Sequence, residues 1–370
     1  MARGRRQGVL IAGGGLAGCL AALALARLRP DVPLLVVEER ERFGGERFRF
    51  LFRTELDGEA RALVAPLVEQ AWPGFYVAFP GMTRNLKGEL GGFSPPALHR
   101  AMMAALKPEQ YRLGVKAVAV REDGIVLDGG ETIKAQGAID ARGAANLSML
   151  DLLYETRVER VIRLKGPHGL DRPVLVDATL DQGAGFSFVQ TFPLGTHRLR
   201  IAKALVSERA QPDEAAEARL DHYLTLRGWR TEEVETRTAQ SRPLPMGGDF
   251  AAFWRLGGAR VAKLGLRGGF LQPASGRSVA DAARAALLLA EQRDFSGGAL
   301  HDLFEEQAKQ LWKKRDYQRS LVAALAAAKP GERRGLMARL YRLEPGLVTR
   351  LHADQAGMIE RLRIQRALRP

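Results

Sequence analysis

The sequence predicts an α/β protein in three parts: a Rossmann-type nucleotide-binding domain, a second lobe rich in antiparallel strands, and a helical C-terminal region. Three observations predict it. The apolar run Val9 to Ala12 ends in glycines spaced as Gly13, Gly15 and Gly18, then a helix-forming stretch leads to a second apolar run, Leu34 to Val37, closed by Glu38. From about 158 to 253 the chain turns to short strand-like runs with one intervening helix. From Gly298 onward the pattern is helical throughout.

Strand, glycine triplet, helix, second strand and terminal acid stand in the order that a dinucleotide requires. Gly13 permits the tight turn, Gly15 lets the backbone approach a pyrophosphate, and Gly18 lets helix and strand pack closely. Leu16 and Ala17 open the helix, whose free N–H groups face the phosphates, and Glu38 accepts hydrogen bonds from a ribose. The paired Gly44 and Gly45 allow a turn with positive φ. Directly after them, Glu46 to Arg53 alternates Arg with Phe at period two, which suits an extended segment.

Helical patterns follow at 59–71 and 96–106, then a short meander from Tyr111 to Ala135 around an Asp123-Gly124 turn. Gly137 to Gly143, carrying Asp140 and Arg142, reads as a strand and polar turn that return the chain to the nucleotide-binding sheet. Strands are predicted at 173–177, 185–192 and 198–202, and a helix at 215–227. A further strand, Arg260 to Gly265, leads through Pro273 and Gly276 to a long helix, Ser278 to Glu291. That closure points a second helix N-terminus at the cofactor and favours FAD over NAD. The predicted division is therefore 1–157 with 254–297 for the FAD-binding domain, 158–253 for a β-rich substrate lobe, and 298–370 for the helical region.

The 370 residues carry a formal net charge of +14 and can bury a large core. The charge is uneven: from Lys313 to Pro370 there are fourteen Lys and Arg against five Asp and Glu, interleaved with Leu, Met, Ile and Tyr, as in Leu336 to Arg342. This is the pattern of basic amphipathic helices, and the expectation is contact with an anionic membrane surface. A solvated helical face is the other reading. Without zinc-finger spacing or an RNP-type motif, nucleic acid is not expected as a partner. No run approaches the length of a membrane-spanning helix. Met1 to Arg6 precedes an apolar run as an export signal would, but that run is the glycine-interrupted first strand, so a cytoplasmic protein, peripheral on the inner face of the membrane, is expected. The single cysteine, Cys19, excludes an internal disulfide and reads as a core residue. The six histidines have no metal-ligand spacing, so no metal is expected, and His168 reads as a structural histidine in a turn.

Several spaced stretches coincide with one family. The chain resembles the bacterial lycopene β-cyclases over nearly its whole length. The resemblance is carried by the opening fingerprint with Glu38 and Gly44-Gly45, by Pro66-Leu67-Val68 and Trp72-Pro73-Gly74, and by Ile139 to Gly143. It continues through Pro167 to Leu170, Arg172 to Leu175, Asp177 to Gln182, Arg227-Gly228-Trp229, Pro243-Leu244-Pro245 and Gly265-Leu266-Arg267, and closes with Leu343 to Leu347 and Arg361 to Ile364. It implies an FAD-dependent enzyme that uses reduced flavin, with NAD(P)H as the electron source. The implied reaction protonates a terminal alkene of lycopene or a related isoprenoid polyene, closes a ring through a carbocation and loses a proton, without net redox change.

Three motifs depart from the family pattern. Where it has adjacent acids thought essential, this chain has Ala202-Lys203. Where it has an Asn-His-Thr-Trp-Ser-Phe-His type run, this chain has Glu46 to Phe52, and in place of Pro-Thr-Thr-Gly-Tyr it has Pro273-Ala274-Ser275-Gly276-Arg277. The replacements Arg47, Arg49, Lys203 and Arg277 all add positive charge to the expected substrate pocket. A cationic pocket opposes a carbocation and suits a carboxylate, a phosphate or an anionic reduced flavin. Two readings of the reaction follow: lycopene-type cyclisation with Glu46, Asp177 or Asp181 as the acid, or a flavin-dependent reaction, redox chemistry included, on an anionic or polar substrate. A non-catalytic flavin- or polyene-binding relative is the third reading of the chain.

Overall fold

The computed structural model describes residues 7–210, 214–258 and 260–368. Met1 to Arg6, read above as a false export signal, and the last two residues of the basic stretch lie outside them.

Strand β1 (Gln7–Ala12), helix α1 (Leu16–Leu28) and strand β2 (Leu34–Val37) form the opening unit. Next come β3 (Arg49–Phe52), α2 (Gly58–Val64), β4 (Gln70–Phe79), β5 (Met82–Phe93) and α3 (Pro95–Ala105). The predicted helix over 59–71 is therefore shorter: Pro66 lacks the N–H that would continue it, a 3-10 turn takes Ala65–Leu67, and β4 begins at Gln70. The short β6 (Tyr111–Arg112), β7 (Ala117–Arg121), β8 (Gly124–Leu127) and β9 (Thr132–Asp140) lead to the long β10 (Leu150–Leu164). Then come β11 (Val174–Asp177), β12 (Phe186–Gly195), β13 (Arg198–Ser207), α4 (Ala216–Leu226), β14 (Thr231–Gly248) and α5 (Phe250–Arg255). After β15 (Ala262–Lys263), six helices end the described chain: α6 (Val279–Ala290), α7 (Gly297–Lys314), α8 (Asp316–Ala327), α9 (Pro330–Arg342), α10 (Pro345–His352) and α11 (Met358–Ala367).

Two sheets organise these elements. In the first, of order β6-β2-β1-β9-β8-β7 with β15 beside β9, the strands β6, β2, β1, β9 and β15 are parallel, and β7–β8 is the antiparallel meander. Helices α1 and α6 share one core against its apolar face. The second sheet runs β14-β10-β13-β12-β11-β4-β5-β3 and is antiparallel except where β11 meets β4. Its prolines Pro243 and Pro245 sit on edge strand β14, where a missing N–H is tolerated.

The boundary drawn at 158 does not follow the sheets. β3, β4 and β5, all before residue 100, pair in the second sheet, and β10 runs unbroken across the boundary. Helix α4 covers one face of that sheet through Leu220, Tyr223 and Leu224. Helices α8 to α10 bury Leu321, Leu336, Leu340, Tyr341 and Leu347 against the sheet's other core. The apolar face of the Leu336 to Arg342 pattern is thus used inside the protein, and the exposed large apolar side chains of the C-terminal helices are Met358, Ile359 and Leu362 on α11.

Candidate functional site

A cleft of about 690 Å³ opens between the carboxyl ends of the first sheet's parallel strands and one face of the second sheet. Its nucleotide end is built by the opening fingerprint. Gly15 is the N-cap of α1 and has no side chain to cap the helix, so the first N–H groups face the cleft together with Leu16 and Ala17. The three fingerprint glycines serve different needs. Gly13 has φ +106°, and a Cβ there would lie 2.6 Å from the Ala141 carbonyl oxygen. A Cβ on Gly18 would strike the Gly13 carbonyl at 1.9 Å. A Cβ on Gly15 would meet nothing within 4 Å. The fold requires the first two; Gly15 leaves an open cradle on the cleft, which fits a dinucleotide pyrophosphate.

Glu38 lines the cleft from the end of β2, where its Oε2 accepts from Gly14 N–H at 2.5 Å and its Oε1 from Arg40 N–H at 3.0 Å. Burial pushes its carboxyl up from the ordinary value, opposed by those two amides. Gly44 is not on the cleft wall; its N–H donates to the Gly14 carbonyl at 2.8 Å and docks the following loop on the fingerprint. Gly45, with φ +65°, lines the cleft, as do Arg142 and Gly143. Asp140 is buried behind them, 2.8 Å from Arg142 Nη2 and 3.2 Å from Arg267 Nε, and so positions two cleft guanidiniums. Gly276 and the N-terminus of α6 close the cleft from the other side, while Pro273 lies back in the turn closed by Gly276 N–H to the Gln272 carbonyl.

The substrate side differs from expectation. Glu46, Arg47 and Arg49 line the cleft, Glu46 paired with Arg40 at its mouth. Arg277 lines it too, but its charge is matched by buried Glu55, 2.6 Å from Nη1, and its guanidinium lies over the Phe50 and Phe52 rings. Lys203 does not reach the cleft. Side chains alternate along β13, so Arg200 and Ala202 face the cleft side while Lys203 shares the opposite face with Leu199 and Ile201, beneath α4. Asp177 also points to that side, accepting from Thr179 Oγ1 at 2.6 Å and Tyr223 Oη at 2.8 Å, which makes it an anchor for α4. Asp181 is exposed in the following turn, where it accepts from Gln182 N–H. Cys19 is buried and donates to the Gly14 carbonyl, and His168 is held in a turn by Leu170 N–H and the Gly195 carbonyl.

The structure adds residues that sequence reasoning missed. Glu155, Arg157 and Glu159 project from one face of β10, with Arg200 from β13 and Arg242 from β14 beside them. Glu155 takes Arg157 at 2.6 Å and Arg242 at 2.7 Å; burial pushes its carboxyl up, but the two guanidiniums outweigh this and hold it at about 2. Glu159 binds Arg200 in a fork, with Nε to Oε1 at 2.7 Å. Its Cα stands directly opposite Ala202, so a carboxylate is present one strand away from the missing acid. The available signal was the acid–base–acid spacing at 155, 157 and 159, which a single strand places on one face.

A parallel sheet with a glycine cradle at its carboxyl edge, facing a large antiparallel sheet, defines the FAD-dependent oxygenase and reductase class of fold. Solved structures agree. A geranylgeranyl bacteriochlorophyll reductase-like protein from Thermoplasma acidophilum superposes with a TM-score of 0.66 at 15% identity, covering 96% of this chain and 95% of that one. A flavin-dependent halogenase from Xanthomonas campestris gives 0.62 at 14% identity, covering 98% and 94%. The family profile described as "Lycopene cyclase protein" matches residues 8–369. Lycopene β-cyclases from Pseudescherichia vulneris and Paracoccus sp. are each 30% identical, over 90% and 92% of this chain and 87% and 88% of theirs. The chain belongs to the lycopene cyclase family.

Proposed function

We propose that this protein is an FAD-dependent enzyme that carries out a redox-neutral, ring-forming isomerisation of an isoprenoid polyene. The single observation that carries the reading is the open cradle at Gly15, in a chain that matches its family along almost its entire length. The N-terminus of α1 would hold the pyrophosphate and Glu38 the ribose, with the N-terminus of α6 at the other end of the cleft. Bound and reduced, with NAD(P)H as electron source, FAD supplies an electron-rich partner for protonation of the alkene. The chain's own part is to orient the polyene end over Phe48 and Phe50, exclude water, and set the charge around the developing cation. Glu159, opposite Ala202 and paired with Arg200, is one carboxylate this reading offers, and Glu46, paired with Arg40, is the acid at the cleft mouth.

The arginine cluster favours a second reading, a flavin-dependent reaction on an anionic or polar substrate. Two unit charges ~4 Å apart repel by about 4 kcal/mol at an effective dielectric of 20, so unmatched guanidiniums weigh against a bare hydrocarbon cation. Anaerobic incubation with lycopene, FAD and NADPH separates the readings. Cyclisation yields a cyclic isomer only when flavin is reduced, with no NADPH consumed per product; consumption in proportion to substrate points to redox chemistry. For access to such a substrate we propose a peripheral contact with an anionic membrane on its cytoplasmic face. The support is on α11, where Met358 and Ile359 are 81% and 69% exposed beside Arg361, Arg363 and Arg366. No helix among the described residues is long and apolar enough to cross a membrane.

A further inference from the structure

The sheet side of the cleft carries more guanidiniums than its own carboxylates can match. Arg47, Arg49, Arg157, Arg200 and Arg242 face it, against Glu155 and Glu159. Glu155 is shared by Arg157 and Arg242, and Glu159 is taken by Arg200. Arg47 donates only to the Ser241 carbonyl among the described residues. Within this cluster three donor atoms are buried without a hydrogen-bond partner among the described residues: Arg49 Nη1, Arg200 Nη1 and Arg242 Nε.

Leaving charged donors unmatched is unfavourable, and Arg49, the first residue of β3, lines the cleft with its Nη1 buried and unbonded among the described residues. An anion that enters the cleft would complete the set. Arg200 and Arg242 keep one free donor each beside their own carboxylates, and the Arg49 guanidinium supplies the third, so an anion with two oxygens, such as a carboxylate, can take all three. The surroundings of the cluster are apolar on one side only. Arg200 lies over the Phe48 ring at 4.9 Å and the Phe192 ring at 5.3 Å, and Phe48 and Phe50 form part of the cleft wall.

We propose that the substrate is an isoprenoid acid, its carboxylate held by Arg49, Arg200 and Arg242 and its hydrocarbon chain laid over Phe48 and Phe50. This rests on the flavoenzyme reading above and narrows its substrate class. It also removes the electrostatic objection, since a bound carboxylate lowers the positive charge facing the reacting alkene.

The test uses the full chain loaded with oxidised FAD, titrated with geranic acid, geraniol and inorganic phosphate, and read by calorimetry and by the flavin absorbance. Geranic acid is expected to bind at least about tenfold more tightly than geraniol, with an affinity that falls as salt rises. Arg49→Gln is expected to weaken it about ten- to a hundredfold without lowering the melting temperature, since the change removes a buried Nη1 that has no hydrogen-bond partner among the described residues. Arg242→Lys, which keeps a charge opposite Glu155, is expected to weaken it as well. Equal binding of acid and alcohol, or unchanged affinity in Arg49→Gln, overturns the proposal. Phosphate binding as tightly as geranic acid overturns it in favour of a bare anion site. A shifted flavin reduction potential in Arg49→Gln with acid binding intact overturns it in favour of a role toward the reduced flavin. Failure of the flavoenzyme reading is separately visible as absence of bound FAD, and calorimetry still reads acid binding on the chain itself.

Discussion

Gly13 and Gly15 are two residues apart in sequence and are expected to fail in opposite ways when each is changed to alanine. At Gly15 the backbone is ordinary, φ −73° and ψ −170°, and the added methyl meets no protein atom within 4 Å. Folding should lose no more than the difference between glycine and alanine at an N-cap, about 1 kcal/mol. The methyl instead stands where the pyrophosphate must approach the helix N-terminus. Losing two charge-assisted hydrogen bonds at about 1.5 kcal/mol each weakens FAD by about 3 kcal/mol, roughly a hundredfold. At Gly13 the methyl meets the Ala141 carbonyl at 2.6 Å and the φ of +106° strains any other residue, so stability should drop by about 2 kcal/mol or more. Urea unfolding of the apo-proteins gives the stability, and quenching of flavin fluorescence gives the affinity. Gly15→Ala binding FAD as well as the parent, or unfolding as readily as Gly13→Ala, would refute the assignment of Gly15 to the ligand.

Three further outcomes follow from the charges and exposed surfaces. Glu155→Gln removes the anion between Arg157 and Arg242; with the folded carboxyl at about 2 against an ordinary 4.5, it should cost about 3 kcal/mol at pH 7. Because the folded value is the lower one, that contribution is complete above about pH 4.5 and disappears toward pH 2, which urea titrations across that range would follow. Burial next to Arg277 pushes the His352 imidazole down to about 3, so the unfolded chain binds a proton below its ordinary 6.5 and the folded one does not. Stability should then fall by about 2 kcal/mol between pH 7 and pH 5, above the Glu155 window, and His352→Gln should abolish that fall. Replacing Met358, Ile359 and Leu362 by serine should lower sedimentation with anionic vesicles about tenfold or more while leaving thermal stability unchanged; unchanged sedimentation would exclude α11 as the contact.

The nucleotide end of the cleft was legible because its signal is local: turn, helix start and acid follow one another within β1, α1 and β2. The substrate side depends on register and on which face a strand presents. Lys203 follows Ala202 in sequence, yet alternation along β13 sends it under α4 while Arg200 reaches the cleft. Arg277 looked like an added charge until the fold brought Glu55, more than two hundred residues earlier, to within 2.6 Å. The division at 158 cut through β10 and hid the spacing of Glu155, Arg157 and Glu159. Likewise the apolar positions of α9 read as a membrane face because the sheet that buries them lies far away in the chain.

The most direct measurement is an equilibrium titration of the apo-protein with FAD, followed by absorbance and fluorescence. The account predicts saturation at one flavin per chain, weakened by Gly15→Ala. A chain that stays folded yet acquires no flavin would contradict it.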